Sequence, residues 1–179
     1  MRKLLSDKKA SAVLLILALL FLVFYVYMLA RPISYGMGYH GKTDYAGEFF
    51  EGTLKFRSDG TMRNRNTNFD SEMEYRYYYK DGYVFALMGE TEDACKAEIA
   101  YIDEHFEEAS TMPFYAARVN AFQYVIEGAD GYAMTYTCMS AIVFAVAAGA
   151  FALLLMALFA ASVVHRRKGP PQEEVIADI

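Results

Sequence analysis

The sequence predicts a membrane protein in which two transmembrane α-helices flank an extracytoplasmic α+β domain built from antiparallel β-hairpins and one amphipathic helix. The first observation is a run from Ala12 to Ala30 without a charged residue, and the second is a similar uncharged run over 131–164. Each run is longer than the roughly 18 apolar residues that indicate a membrane-spanning helix. The third observation is a hydrophobic period of two residues in the chain between them, followed by a helical period.

These runs divide the chain into five predicted segments. They are a cytoplasmic N-terminus at 1–9, a first transmembrane helix at 10–30, an extracytoplasmic α+β domain at 31–137, a second transmembrane helix at 138–164 and a cytoplasmic tail at 165–179.

Cations beside the two apolar runs predict the orientation, because Lys and Arg next to a span stay on the cytoplasmic side. The cations that flank the runs are Arg2, Lys3, Lys8 and Lys9 before the first, and Arg166, Arg167 and Lys168 after the second. We therefore expect an integral plasma-membrane protein with both termini in the cytoplasm. A bacterial source is a guess, compatible with the absence of any Asn-x-Ser/Thr sequence. The competing interpretation of the first run is a cleaved secretory signal, although Met28 stands where a small residue is preferred.

The middle segment is acidic, since residues 31–137 carry 10 Lys and Arg against 18 Asp and Glu, a net charge of −8. This charge argues against nucleic acid as a partner. The chain has two cysteines, Cys95 in the predicted domain and Cys138 beside the second run. They are either one disulfide bridge or two unpaired thiols, and the latter is the simpler interpretation.

Two hairpins are predicted from alternation around turn residues. In the first, strands over 48–57 and 61–65 are joined by Ser58-Asp59-Gly60. In the second, Asp81-Gly82 lies inside a tyrosine-rich stretch over 73–88. A two-residue loop would place Tyr79 opposite Val84, whereas a three-residue loop with a bulge at Gly82 would place it opposite Tyr83. The three-residue loop is preferred because it collects nearly all large side chains on one face.

An amphipathic helix is predicted to follow, capped by Thr91 and ending before Met112-Pro113. Its apolar stripe should cover the sheet face of the second hairpin, and a ligand-stacking role for the tyrosines is the alternative. The residues of the stripe are Cys95, Ile99, Ile102 and Phe106, and those of the face are Tyr75, Tyr77, Tyr79, Phe85 and Leu87.

Residues 114–126 suit either a helix or a strand. Their β-branched and aromatic content favours a strand over 118–126, followed by a turn and a short strand over 132–136.

The sequence contains no arrangement typical of catalysis. There is no Gly-x-Ser-x-Gly elbow, phosphate-binding loop or His-Glu-x-x-His motif, so no catalytic residue is predicted. His105 with Glu98 or Glu108 has helical spacing for a metal ion, but an acidic helix produces such pairs by chance. We therefore predict a protein that is not an enzyme, with no cofactor and no metal site.

Two sets of residues are candidate contact surfaces. Four cations on one face of the first hairpin predict a site for an anionic ligand, lipid headgroup or acidic protein, unless Glu48, Glu51 or the acidic helix neutralises them. They are Lys55, Arg57, Arg63 and Arg65. A stripe of small residues on the second apolar run, Ala141, Ala145 and Gly149, predicts close helix packing against the first helix or another chain.

The expected function is a non-enzymatic, membrane-anchored binding module, an accessory subunit of a membrane or envelope complex. Its expected partners are the lipid bilayer and another membrane or envelope protein, with a homodimer as one version. The alternative is an extracytoplasmic protein that binds or senses a small ligand, for which a pocket between the tyrosine face and the helix at 91–109 would be the evidence. An envelope enzyme is the third hypothesis.

Overall fold

The computed structural model describes residues 7–45, 48–67, 70–113, 115–128 and 133–167. Two long apolar helices flank eight antiparallel strands in chain order. The elements are α1 (Lys8–Ala30), β1 (Gly38–Tyr45), β2 (Glu48–Phe56), β3 (Thr61–Asn66), β4 (Ser71–Lys80), β5 (Tyr83–Leu87), α2 (Glu92–Glu104), α3 (Phe106–Ser110), β6 (Ala116–Val119), β7 (Gln123–Glu127), β8 (Ala133–Thr137) and α4 (Met139–Arg167).

The eight strands form a closed barrel in which each strand pairs with its neighbour in sequence. Pairing of β1 with β8 through His40 opposite Thr137 and Gly41 opposite Tyr136 closes it. The prediction of antiparallel hairpins and one amphipathic helix is thereby refined: the hairpins are parts of one barrel, and the helix is interrupted at His105, where the backbone leaves the helical conformation, which gives a helical segment of α2 and α3. Closure pairs the first strand with the last, so neither is a free outer strand of an open sheet.

Inward-facing side chains fill the barrel, as expected for eight strands. Phe56 lies at the centre, fully buried, with its ring centroid 5.5 Å from Tyr39, 5.2 Å from Tyr77 and 5.6 Å from Tyr124. Such edge-on and tilted contacts stabilise aromatic clusters. Desolvation by this packing raises the pKa of Tyr77 above its usual range.

The preferred register of the second hairpin is wrong. Tyr79 pairs with Val84 and Tyr78 with Phe85, so the loop is the two-residue Asp81-Gly82. Both loop residues have positive φ, 47° and 85°, as a type I′ turn requires. The preference for one large apolar face assumed that only one face of the hairpin is buried, whereas the barrel core buries one face and the helical segment buries the other.

The helical segment covers the outer face of β5 and not the predicted tyrosines. Thr91 caps it by accepting a hydrogen bond from Ala94 N at 3.2 Å, as predicted. Phe85 and Leu87 pack beneath the predicted stripe, but Tyr75, Tyr77 and Tyr79 are on the opposite, inward side of β4. The cluster under the helices contains Phe85, Leu87, Cys95, Ile102, Ala109 and Ala116, with Tyr78, Tyr83, Ile99, Phe106 and Tyr115 packed against it.

The predicted strand over 118–126 is wrong as a continuous element, because the chain reverses within it. The Asn120 side-chain oxygen accepts hydrogen bonds from Phe122 N at 2.8 Å and Gln123 N at 2.9 Å. Such local side-chain bonds to the backbone favour a turn over a continuous strand. The result is the β6–β7 hairpin. The expected short strand near 132–136 corresponds to β8.

The chain forms two compact units, a helix pair within Met1–Tyr27 and Ala145–Ile179 and the barrel with its helices within Met28–Phe144. In the helix pair, the Phe21 and Phe151 rings stack at 5.5 Å, and the Ser11 and Ser162 hydroxyls form a buried hydrogen bond of 2.7 Å. Both α1 and α4 are long and apolar enough to cross a membrane. Only 11% and 17% of their most apolar windows are buried, unlike the core helix of a soluble protein.

Candidate functional site

The four predicted cations lie on the outer face of the β2–β3 hairpin, next to carboxylates of β4. Lys55 pairs with Arg63 across the strands, as predicted. Arg57 forms an ion pair with Glu74 at 3.1 Å. Arg63 lies 2.8 Å from Glu72 and 3.3 Å from Glu74, and Arg65 lies 3.6 Å from Asp70.

The strand register explains these pairs, because Arg63 stands opposite Glu74 on β4. Two of the neutralising acids, Glu72 and Glu74, are therefore on β4, and Asp70 immediately precedes it. Glu51 pairs with Lys42 at 3.2 Å, and the Glu48 side chain lies outside the described residues. Lys55 has no carboxylate within 4 Å among the described residues. Exposed pairs of this kind contribute about 0–1 kcal/mol each, so these ion pairs affect the local charge more than the stability of the barrel. The docking role of the four cations stays a prediction.

The small-residue stripe of α4 contains buried Ala141 and Ala145. Gly149 lies against α1 of the same chain, since a Cβ added to it would be 3.3 Å from the Tyr25 ring. At Gly149, α4 therefore approaches α1 closely, while the packing role of Ala141 and Ala145 stays a prediction. Whether a second chain also binds α4 stays a prediction.

Substitution of Ser11 and Ser162, whose hydroxyls are hydrogen-bonded, tests the packing of α1 on α4. Replacing Ser11 or Ser162 by Val removes a buried hydroxyl partner, and each change is expected to weaken the helix pair by about 0.6–2 kcal/mol. The double variant should cost less than the sum of the two, because it leaves no unpaired hydroxyl. The measurement is a double-mutant cycle on helix association, with exposed Leu20→Val as the control. Strictly additive losses would show that the two hydroxyls do not interact.

A groove of about 450 Å³ lies between the β2–β3 turn and the first turns of α2. Its outer wall is the turn from Asp59 to Thr61, and its opposite wall is α2. Its lining residues on the barrel and the helix are Arg76, Tyr77, Leu87, Glu92, Cys95, Lys96 and Ile99. A pocket between the tyrosine face and the helix at 91–109 was the evidence expected for ligand binding. Of that predicted face, Tyr77 and Leu87 line this groove, together with Arg76 on the outer face of β4.

Within the described part of the chain, Arg76 is the cation of the groove that has no carboxylate partner. Its Nη1 donates a long hydrogen bond of 3.9 Å to Cys95 Sγ, and no carboxylate lies within 4 Å of it among the described residues. Lys96, by contrast, forms ion pairs with Glu92 at 2.8 Å and Asp93 at 3.7 Å. The Arg76 charge therefore remains available to a bound anion.

Asp59 is the remaining charge in the wall. Its Oδ1 accepts hydrogen bonds from Thr61 Oγ1 at 2.7 Å and Thr61 N at 2.9 Å. These bonds lower the pKa of Asp59 below its usual value. The groove thus combines a guanidinium without an ion pair among the described residues with acidic side chains in its walls.

His105, which was considered as a metal ligand, has another partner, as does His40. His40 Nδ1 and Thr53 Oγ1 are 3.0 Å apart, and the His105 ring stacks on Tyr101 with centroids at 4.6 Å. Among the described residues, no three His, Cys, Asp or Glu side chains cluster to hold a metal ion. Cys95 and Cys138 are both buried and unpaired, which favours the simpler of the two interpretations of the cysteines.

Comparison of the chain with protein-family models, curated proteins and solved structures gave no match. Functional inference therefore rests on the geometry. Arg76 was not predicted as a site residue, although alternation along β4 and the two-residue loop together place it outside, opposite Leu87.

Proposed function

We propose that this chain is a non-enzymatic, membrane-anchored binding module whose barrel lies outside the cytoplasm and binds another membrane or envelope protein. The observation that carries the proposal is the exposed apolar surface of α1 and α4. Leu20, Val23 and Leu153 expose 60%, 66% and 74% of their surface. A bilayer would cover such side chains at both helices, and the flanking cations orient both termini to the cytoplasm.

The outer edge of β4 supports a protein partner. β4 begins at Ser71, but its pairing with β5 ends at Arg76 opposite Leu87. The Glu98 carboxylate accepts hydrogen bonds from the next two amides, Met88 N at 3.0 Å and Gly89 N at 3.2 Å. The amides that follow Leu87 thus bond to this carboxylate and not to β4. The first residues of β4 therefore have no paired strand on that side among the described residues.

Two methionines flank this β4 edge, Met73 with 47% and Met88 with 65% of its surface exposed. A strand edge beside apolar side chains is a surface on which an extended segment of a partner adds as a further strand. Methionine suits such contacts because its side chain adapts to different partner shapes. The proposed partner segment therefore lies along Ser71 to Tyr75.

Site-specific crosslinking tests this function. A photoreactive amino acid at Met73 is expected to crosslink one membrane or envelope protein in intact cells, with purification in mild detergent to identify it. The matched control is the same group at Tyr101, which is exposed on α2. Two differently tagged copies of the chain separate a homodimer from a different partner. Equal crosslinking from both positions, or none from Met73, would contradict the proposal.

A second candidate function, capture of a small ligand, is favoured by the groove at Arg76. Its volume lies within the range of about 300–1,000 Å³ that is usual for ligand sites.

A further inference from the structure

We infer that the groove between the β2–β3 turn and α2 binds an apolar monocarboxylate, with Arg76 holding the carboxylate. The inference rests on the second candidate function, ligand capture, and does not depend on the orientation of the chain in the membrane. It concerns the chemical class of the ligand at the groove already described.

Arg76 is the group that recognises the anion. A guanidinium presents a planar fork of N–H donors that matches a carboxylate in a bidentate pair. Its observed neighbour, Cys95 Sγ at 3.9 Å, is a weak acceptor. That thiol donates its own hydrogen to Gly89 O at 3.1 Å. A ligand carboxylate would therefore supply the charged partner that Arg76 lacks among the described residues.

Leu87 and Ile99 recognise the body of the ligand. Leu87 is buried and Ile99 half-buried, and both line the groove beside Arg76. A chain of a few methylene groups that contacts them leaves water, and each methylene that is buried strengthens binding. The apolar part thus favours an aliphatic acid over a small polar acid such as acetate.

The acidic walls limit the charge of the ligand. Asp59 stands in the turn on one side and Glu92 in the first turn of α2 on the other. Glu92 is neutralised by Lys96, but Asp59 forms no ion pair among the described residues. A second negative charge on the ligand would be repelled by the Asp59 carboxylate, so a monoanion is favoured over a dianion.

The experiment measures binding of hexanoate to the full chain in lipid nanodiscs by saturation-transfer NMR, with empty nanodiscs subtracted. Hexanoate should bind at least tenfold more tightly than acetate, which lacks the apolar chain, and than hexylammonium, which carries the opposite charge. Adipate, of the same length but with a second carboxylate, should also bind at least tenfold more weakly. Arg76→Gln should weaken hexanoate binding at least tenfold. The matched control, Arg118→Gln, removes an exposed arginine outside the groove that pairs with Glu127 at 3.2 Å and should change binding less than twofold.

Two results would overturn the inference in distinguishable ways. If hexanol or hexylammonium binds as tightly as hexanoate and Arg76→Gln has no effect, the carboxylate assignment is wrong while ligand capture survives. If hexanoate, hexanol and hexylammonium all fail to bind, ligand capture by this groove is wrong as well. Neither result bears on the protein partner, which the crosslinking experiment tests separately.

Discussion

Replacing Phe56 by Ala is expected to lower the free energy of unfolding of the barrel by about 3–5 kcal/mol. Phe56 is fully buried, and its ring contacts Tyr39, Tyr77 and Tyr124. The substitution leaves a cavity among rings that β1, β4 and β7 hold in place, so the site has little freedom to collapse. Urea unfolding followed by near-ultraviolet circular dichroism measures the loss, since the chain has 15 tyrosines and no tryptophan.

Phe56→Leu is the matched control, because it keeps a large apolar side chain at the same position. It should cost clearly less than Phe56→Ala. If Phe56→Ala instead costs no more than a surface substitution, about 0.5 kcal/mol, the barrel interior is not the core of this unit.

Replacing Gly41 by Ala is expected to destabilise the barrel by about 1–3 kcal/mol through overpacking. Gly41 pairs with Gly52 on one side and Tyr136 on the other. A Cβ at Gly41 would lie 2.7 Å from Tyr136 Cδ1 and 2.8 Å from Cγ. The ring therefore has to move, and it lies at the β1–β8 pairing that closes the barrel. Thermal unfolding of the two chains compares their stability.

Gly52 provides the comparison for Gly41. A Cβ there meets its nearest atom at 3.3 Å, so Gly52→Ala should cost less. The decisive control is Tyr136→Leu, in which the ring is removed. Gly41→Ala should then cost less than in the native chain, and an equal cost in both backgrounds would show that the ring is not the cause.

Local features of the fold were predictable from the sequence because short-range chemistry sets them. The Ser58-Asp59-Gly60 turn forms with Gly60 at a φ of 83°, and Lys55 stands opposite Arg63 as expected. The Thr91 cap and the apolar stripe of α2 likewise follow from spacing alone. Alternation and helical periodicity indicate which residues share a face of a strand or helix. The turn, the cap and the apolar stripe form from these local patterns and do not require knowledge of distant contacts.

Barrel closure was not predictable in this way. The pairing of His40 with Thr137 joins the two ends of the domain, and no periodic pattern states which distant strands meet. The same limit explains the register error at Tyr79, because alternation cannot tell one buried face from two. The β6–β7 turn did carry a local indication, Asn120, but β-branched residues on both sides of it favoured one strand.

The candidate site was predictable only in part. The cations at Arg57, Arg63 and Arg65 were found from the sequence, but their pairing with carboxylates on β4 and just before it depends on the β3–β4 register. Arg76 became a candidate only when the register placed it outside and α2 was seen to form the facing wall. A groove between two elements is a property of their packing, which one-dimensional patterns do not contain.

The central proposal is that α1 and α4 hold the barrel on the outside of a membrane while both chain ends remain in the cytoplasm. Cysteine labelling in intact cells tests it most directly, in a background with Cys95→Ser and Cys138→Ser. A membrane-impermeant maleimide should label Glu90→Cys, exposed beside the barrel, without permeabilisation. It should label Lys9→Cys and His165→Cys only after the membrane is opened. Labelling of these two in intact cells, with Glu90→Cys protected, would contradict the account.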